Sequence, residues 1–507
     1  MIAVIDFGSQ YTHLICRRIR DMGVRSEIYP YNTEISLKKI KPAGIILSGS
    51  PASLADKDHP EPPGDILKSG LPVLGICYGM QVMAEMLGGK VGRKGRREYG
   101  RAKLRIIKKG NIFSGFSGSS SVWMSHYDSV EKLPPGFEAL ASTKGIPVAS
   151  MGDAARRLYG IQFHPEVVHT EEGNRILSNY VFSICGAKKD WNLNKWIETA
   201  VCDIKKQAGR GKVIMALSGG VDSSIASVII KEAMGDRFFP VFVDHGLTRL
   251  KDRKKIKEVL IKKMGLNVRI IDCEDRFMNA LKGVRDPEKK RKIIGREFIN
   301  VFMAEARKIK GITHLAQGTL YPDIIESARA GTKSSVIKTH HNVGGLPKSM
   351  KLELIEPFRS LYKDEVRVIG RKLEVPPEII DQHPFPGPGL GIRIIGAVNR
   401  KRVNILRAAD VIVEEELKKA RIYYSLWQAF PVFLTVKTVG VMGDMRTYEN
   451  VIALRLVESV DAMTANWAEI PHKVLSNIST RIVNEITGIN RVVYDITNKP
   501  PGTIEWE

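Results

Sequence analysis

One cysteine of this chain stands between two glycines, in Gly75-Ile-Cys77-Tyr-Gly79. The apolar run Val73–Ile76 precedes it, and a helical pattern follows from Gln81 to Leu87. Small residues on both sides allow a tight strand-to-helix elbow. A thiol at such a point lies at a helix N-terminus, whose dipole favours the reactive thiolate. A lone cysteine after a buried strand is otherwise a packing residue, so the reading needs a partner. Tyr159-Gly-Ile-Gln-Phe-His164-Pro-Glu166 is a second strand-like run, ending in a base and a carboxylate. His164 can act as general base toward the thiol, with Glu166 holding the imidazole in the right tautomer.

A second constellation follows the apolar run Lys212–Leu217: Ser218-Gly219-Gly220-Val221-Asp222-Ser223-Ser224, which opens a helical pattern. Glycines there let backbone N–H groups converge on a phosphate, and the helix N-terminus adds positive potential. No Gly-Lys-Ser/Thr follows, so the segment is not a Walker A loop. Asp222 reads as a Mg²⁺ ligand, as a helix N-cap, or as both.

The elements that must position these residues follow the same alternation. Short β-branched runs at Ile2–Ile5, Gly44–Leu47 and Val73–Ile76, and again at 212–217, 239–243, 268–271 and 314–316, alternate with helical stretches. That pattern predicts open α/β sheets with sites at the carboxyl ends of the strands. The chain has 507 residues, enough for about three domains. The expected architecture is α/β: two consecutive open parallel-sheet domains over residues 1–187 and 188–380, then a smaller α+β domain over 381–507. Residues 327–345, rich in Gly, Ser, Thr and Lys, read as a mobile loop.

Composition narrows the class of protein. Five cysteines, odd in number and without a Cys-x-x-Cys pair, argue against a disulfide framework and a zinc site. No apolar run approaches the ~18 residues of a membrane helix, and the first residues lack signal-peptide character. A cytoplasmic protein without a membrane partner is expected. The net charge of +23 attracts polyanions, but the 7% of aromatic residues are not interleaved with the basic runs. Lys251–Lys257 and Lys289–Lys292 therefore read as solvated helix faces, and no nucleic-acid partner is expected.

Residues 1–187 resemble the class I glutamine amidotransferases, on the Cys77 elbow and the His164-Pro-Glu166 run. The resemblance implies that Cys77 attacks the side-chain amide of glutamine and releases ammonia. It also implies that Gly49, Tyr78, Gln81, His126 and Asp128 serve glutamine and its oxyanion. Two residues depart from that family's pattern, Ser50 in Ser48-Gly-Ser-Pro51 and Tyr127 in Ser125-His-Tyr-Asp128. The 218–224 loop resembles that of the ATP pyrophosphatases, which cleave ATP to AMP and pyrophosphate. Four further stretches, 275–295, 316–323, 338–347 and 499–507, together with His383-Pro-Phe-Pro-Gly-Pro-Gly-Leu390, resemble the glutamine-hydrolysing GMP synthetase family across essentially the whole chain. That resemblance implies three small-molecule substrates, glutamine, ATP and XMP, a Mg²⁺ cofactor, and a homodimer formed through the C-terminal domain. It assigns Lys338, with the 218–224 loop, to ATP, and Arg276, Gln317, Lys499, Ile504 and Glu505 to XMP. Alternation over Ile504, Glu505, Trp506 and Glu507 predicts a short strand with Ile504 and Trp506 buried on one face. The alternative is a tRNA-modifying enzyme of the same loop class carrying a glutaminase domain.

Overall fold

The structure is a computed structural model and describes residues 1–33, 35–63, 66–92, 97–323, 352–442, 444–459 and 464–507. The chain divides into two compact units, Met1–Asn192 and Leu193–Glu507.

The first unit is built on a nine-stranded sheet. Its parallel half holds Ser26–Pro30, Ile2–Asp6, Gly44–Leu47, Val73–Ile76 and Leu158–Ile161, in that spatial order. Four of these five strands are buried along their whole length, which explains their continuous apolar runs. Beyond Leu158–Ile161 the sheet turns antiparallel through Ser150–Asp153, Glu138–Ser142, Glu98–Ile106 and Ser119–His126. One register decides where the chemistry sits. Ile76 lies opposite Ile161 in a parallel pair, so the two chains leave the sheet at the same edge, one toward Cys77 and the other toward Gln162 and His164.

In the second unit a five-stranded parallel sheet has the order Arg269–Asp272, Phe238–Asp244, Lys212–Leu217, Ile312–Ala316, Glu353–Ile355. The chain builds outward on one side of Lys212–Leu217, then returns to build on the other. Lys212–Leu217 and Ile312–Ala316 thus flank the point where the strand order reverses, the place at whose carboxyl ends open α/β sheets bind ligands. A mixed sheet follows, dominated by the antiparallel ribbon Gln428–Met442 and Met445–Glu458, with helices Arg400–Lys419 and His472–Glu485. Ile214, Val241 and Leu315 of the parallel sheet share one core with Leu406, Phe433 and Ile452.

Both basic runs differ from the solvated faces expected of them. Asp252 and Lys255 turn inward: Asp252 lies 3.3 Å from Arg249 and 3.4 Å from Lys255, and all three side chains are buried. Lys290 is fully buried, donating to the Ile394 carbonyl at 2.7 Å and pairing with Glu507. Helical spacing points one residue in three or four at the core whatever its type, and a long cation is tolerated there once it meets a carboxylate.

The glycines of the elbow are close-packed. A Cβ on Gly79 would press on the backbone carbonyl of Leu47, and one on Gly75 would lie 2.5 Å from the carbonyl carbon of Gly79. Backbone cannot swing aside as a side chain can, so Gly79→Ala is expected to destabilise the first unit by about 1–3 kcal/mol. Calorimetry of the full chain should show its unfolding transition lowered, with that of the second unit unmoved.

Candidate active site

The strand Val73–Ile76 ends at Cys77, whose backbone lies at φ 53° and ψ −109°, and the helix Tyr78–Met86 starts immediately after it. The helix begins three residues earlier than the apolar pattern suggests, because the elbow itself supplies its first turn. Cys77 is buried, and its N–H donates to the Ile161 carbonyl at 2.8 Å. Its thiol points to the Ser125 carbonyl at 3.6 Å, and the Gln162 Nε2 lies 3.6 Å from the sulfur. His164 interacts electrostatically with the thiol as well. On its other side, His164 Nδ1 lies 2.7 Å from Glu166 Oε1, with both side chains buried. Burial alone would push the imidazole down, but the Glu166 carboxylate and the Cys77 thiol prevail and hold it well above its ordinary 6.5. The Tyr11 ring packs edge-on against His164 at 5.0 Å. Thiol, imidazole and carboxylate thus interact in series, an arrangement able to activate a thiol.

The remaining residues expected to meet glutamine have the following surroundings. Gly49 packs over the imidazole: a Cβ there would lie 3.4 Å from His164 Cε1. Ser50, the first departure, avoids the left-handed region, and its hydroxyl donates to the Phe7 carbonyl at 2.9 Å. Tyr78 donates its hydroxyl to the Pro60 carbonyl at 2.7 Å, and its backbone N–H lies in the helix's first turn. Gln81 Nε2 donates to the Asp128 carbonyl at 2.6 Å, and the Asp128 carboxylate accepts from Ser53 Oγ at 2.5 Å. His126 is buried beside Glu98, 3.6 Å away; burial lowers its pKa despite that carboxylate. Tyr127, the second departure, is exposed beneath the Arg97 guanidinium at 3.8 Å. Gln162 was not singled out from sequence. Its type, a polar residue inside an otherwise apolar strand end, was the available signal.

In the second unit the loop Ser218–Gly220 leaves the central strand for the helix Val221–Met234. Gly219 takes φ +74°, and Gly220 is the N-cap. Asp222 therefore occupies the first turn, which corrects the N-cap reading. Ser218 Oγ and Ser223 Oγ lie 3.0 Å apart and brace the loop internally. The Gly219 carbonyl accepts from Gln382 Nε2 at 3.0 Å, and Gln382 in turn accepts from Lys255 at 2.5 Å. Asp222 Oδ1 and Ser224 Oγ are buried without a hydrogen-bond partner, while Asp222 Oδ2 lies 3.5 Å from Lys363. Orphaned polar atoms at a phosphate-type loop fit absent ligand atoms. Among the described residues no cluster of three ligating side chains could hold a metal. Mg²⁺ does not require one, since it commonly takes one or two carboxylates plus substrate phosphates and water. Gln317 follows the neighbouring strand Ile312–Ala316, and a Cβ on Gly318 would lie 3.3 Å from the Asp222 backbone. The loop and the Gln317-Gly318 segment thus lie side by side. Lys338 and the stretch 327–345 lie outside the described residues.

Arg276, on the helix Glu274–Ala280, is half-exposed and bonds Glu297 at 2.8 Å. The last residues form no strand, which corrects the expected alternation. Ile504 is buried against Phe430, Val432 and Ala453, but Trp506 is exposed, with its indole N–H on Asp495 at 2.9 Å. Three buried cations hold the tail instead. Arg393 grips the Glu505 carboxylate bidentately at 2.8 and 3.0 Å, and Gln428 adds a third bond at 2.7 Å. Arg455 donates to the carbonyls of Thr497 at 2.6 Å and Thr503 at 3.0 Å. Lys290 pairs with Glu507. Lys499 is bridged to Ala465 through its backbone, at 2.7 and 3.0 Å.

Comparison with known proteins adds matches to three families and to full-length relatives. Family models match residues 3–184 (glutamine amidotransferase class-I), 192–310 (NAD synthase) and 415–506 (GMP synthase C terminal domain). A glutamine-hydrolysing GMP synthase of Aquifex aeolicus is 54% identical, covering 100% of this chain and 99% of its own. Its counterpart in Brachyspira hyodysenteriae is 52% identical over the same shares.

The raised pKa of His164 carries a stability signature. A cation stabilised in the fold contributes fully below its unfolded value, near 6.5, and that contribution is lost as pH rises through the folded value. The first unit should therefore lose stability from about pH 7 upward. Glu166→Gln removes the counter-charge and should flatten that slope, measured as unfolding temperature against pH. An unchanged slope would show that the pair is not ionised.

Proposed function

This chain belongs to the family of glutamine-hydrolysing GMP synthases, and from that premise we propose how its residues divide the reaction. The enzyme hydrolyses glutamine to ammonia and uses ATP, released as AMP and pyrophosphate, to aminate XMP to GMP. The C-terminal match leaves no observation in favour of a tRNA substrate. Residues 1–187 make ammonia, 188–380 adenylate XMP, and 381–507 complete the purine site.

The interaction of Cys77 with His164, and the contact of His164 with Glu166, carry the first half of the reading. His164 holds the proton taken from the thiol, and the sulfur anion attacks the side-chain carbonyl carbon of glutamine. The backbone N–H groups of Gly49 and Tyr78 receive the oxyanion, and Gln81, His126 and Asp128 hold the substrate. His164 returns the proton to the leaving ammonia. It then takes one from the water that cleaves the thioester, giving glutamate. Glu166 holds the imidazolium.

In the second half, Ser218–Ser224 cradle the pyrophosphate of ATP, with Lys338 on its phosphates. Asp222 is the residue that would hold Mg²⁺, which when bound offsets phosphate charge. The oxygen on C2 of XMP attacks the α-phosphate, and ammonia then displaces AMP. Arg276, Gln317, Lys499, Ile504 and Glu505 form the XMP side. Supporting a role for Glu505, its carboxylate is held in place by Arg393 and Gln428. Val439, Val441, Met445 and Tyr448 expose apolar surface on the ribbon, which supports pairing with a second copy there.

Two measurements test the division. Cys77→Ala should abolish GMP formation from glutamine while added ammonium restores it; a variant equally dead with ammonium overturns the assignment. Arg393→Met unpins Glu505, so KM for XMP should rise about tenfold or more, the loss expected when a charge-assisted bond goes. KM for ATP should move far less. Equal effects on both substrates would remove Glu505 from the XMP side.

A further inference from the structure

Gln162 is fully buried, the second residue before His164, and its side chain touches the reacting sulfur. A buried amide must find partners for both ends, and here the partners fix which end faces which way. The Asp128 backbone carbonyl can only accept, so the group of Gln81 lying 2.6 Å from it is the amide nitrogen. The same nitrogen has a second hydrogen, directed at Gln162 3.2 Å away, which must present its oxygen. The Gln162 nitrogen is thereby left to the sulfur, at 3.6 Å. Donation diverges from the Gln81 nitrogen, to the Asp128 carbonyl on one side and, through the Gln162 amide, to Cys77 on the other. The backbone supports the same arrangement. Gln162 N–H is tied to the Ala149 carbonyl at 2.9 Å, and the parallel register places Gln162 directly opposite the elbow.

We propose that Gln162 is a functional residue of the glutaminase reaction: its amide donates to the Cys77 sulfur, holds it as the anion between attacks, and is kept in that orientation by Gln81. The inference rests on Cys77 being the nucleophile. Two groups then stabilise the sulfur anion, the imidazolium of His164 and a neutral N–H that is independent of pH. Through the relay, the loop carrying Asp128, on the glutamine side, is mechanically joined to the thiol. Gln81 consequently has a positioning role beyond substrate contact.

The test uses the full chain and follows the rate of Cys77 alkylation by iodoacetamide against pH, read by mass spectrometry, together with glutaminase kcat and KM. Gln162→Met removes the donor and fills similar volume; Gln162→Glu puts an oxygen at the sulfur. The alkylation profile should move to higher pH by about one unit for Met, the equivalent of one lost charge-assisted bond, and further for Glu. For Gln162→Met, kcat should fall about tenfold with KM for glutamine changed less. Gln81→Met should shift the profile in the same direction, because the Gln162 amide is then free to turn. If Gln162→Met loses the first unit's unfolding transition, the Gln81→Met profile decides. Profiles that superimpose on that of the unchanged chain, or a change confined to KM, overturn the inference. A Cys77→Ala chain that still hydrolyses glutamine would instead overturn the nucleophile assignment itself, so the two failures are distinguishable.

Discussion

The first unit depends on one strained residue. At φ 53° and ψ −109°, Cys77 sits where a residue with a Cβ costs about 1–3 kcal/mol. The strain persists because its surroundings leave no alternative. The N–H of Cys77 is fixed to Ile161, and Gly75 and Gly79 bring strand and helix closer than any side chain would allow. From that one conformation follow the direction of the sulfur, the first-turn N–H groups beside it, and the height at which His164 must stand to meet it. A relaxed backbone at Cys77 would aim the thiol into the sheet.

The second unit reaches a comparable result without strain at a side-chain-bearing residue. Glycines absorb the unusual backbone of its loop, and the loop is held from behind by polar contacts: Gly219 by Gln382, Gln382 by Lys255, and Lys255 by Asp252. Buried ion pairs contribute little net stability once desolvation is counted. Their effect here is geometric, tying the phosphate-type loop to the segment that carries His383. The tail repeats the device, since Arg393, Arg455 and Lys290 are each buried and each engaged with it. Much of the excess positive charge that is out of solvent thus organises backbone and carboxylates. The charge total by itself could not reveal that.

Local pattern was sufficient for the central buried parallel strands, though not for the antiparallel half of the first sheet. The runs at 2–5, 44–47, 73–76 and 212–217 needed only continuous β-branched character to be recognised, because strands buried on both faces admit little else. Motif chemistry likewise singled out Cys77, His164, Glu166 and Asp222, since few residue types can perform those tasks at strand ends. Tertiary structure alone decided three other things. It brought Cys77 beside His164, which is a matter of parallel register between strands about 85 residues apart in sequence. It selected Gln162, whose importance lies in the direction of its amide, a property that neither spacing nor composition encodes. And it reversed the reading of Lys290, Lys255 and Trp506, because whether a side chain is buried depends on which distant carboxylate or apolar face the fold delivers to it. Sequence determines which groups are available and the local backbone that carries them; long-range pairing determines their partners, and charge, tautomer and orientation are set by partners.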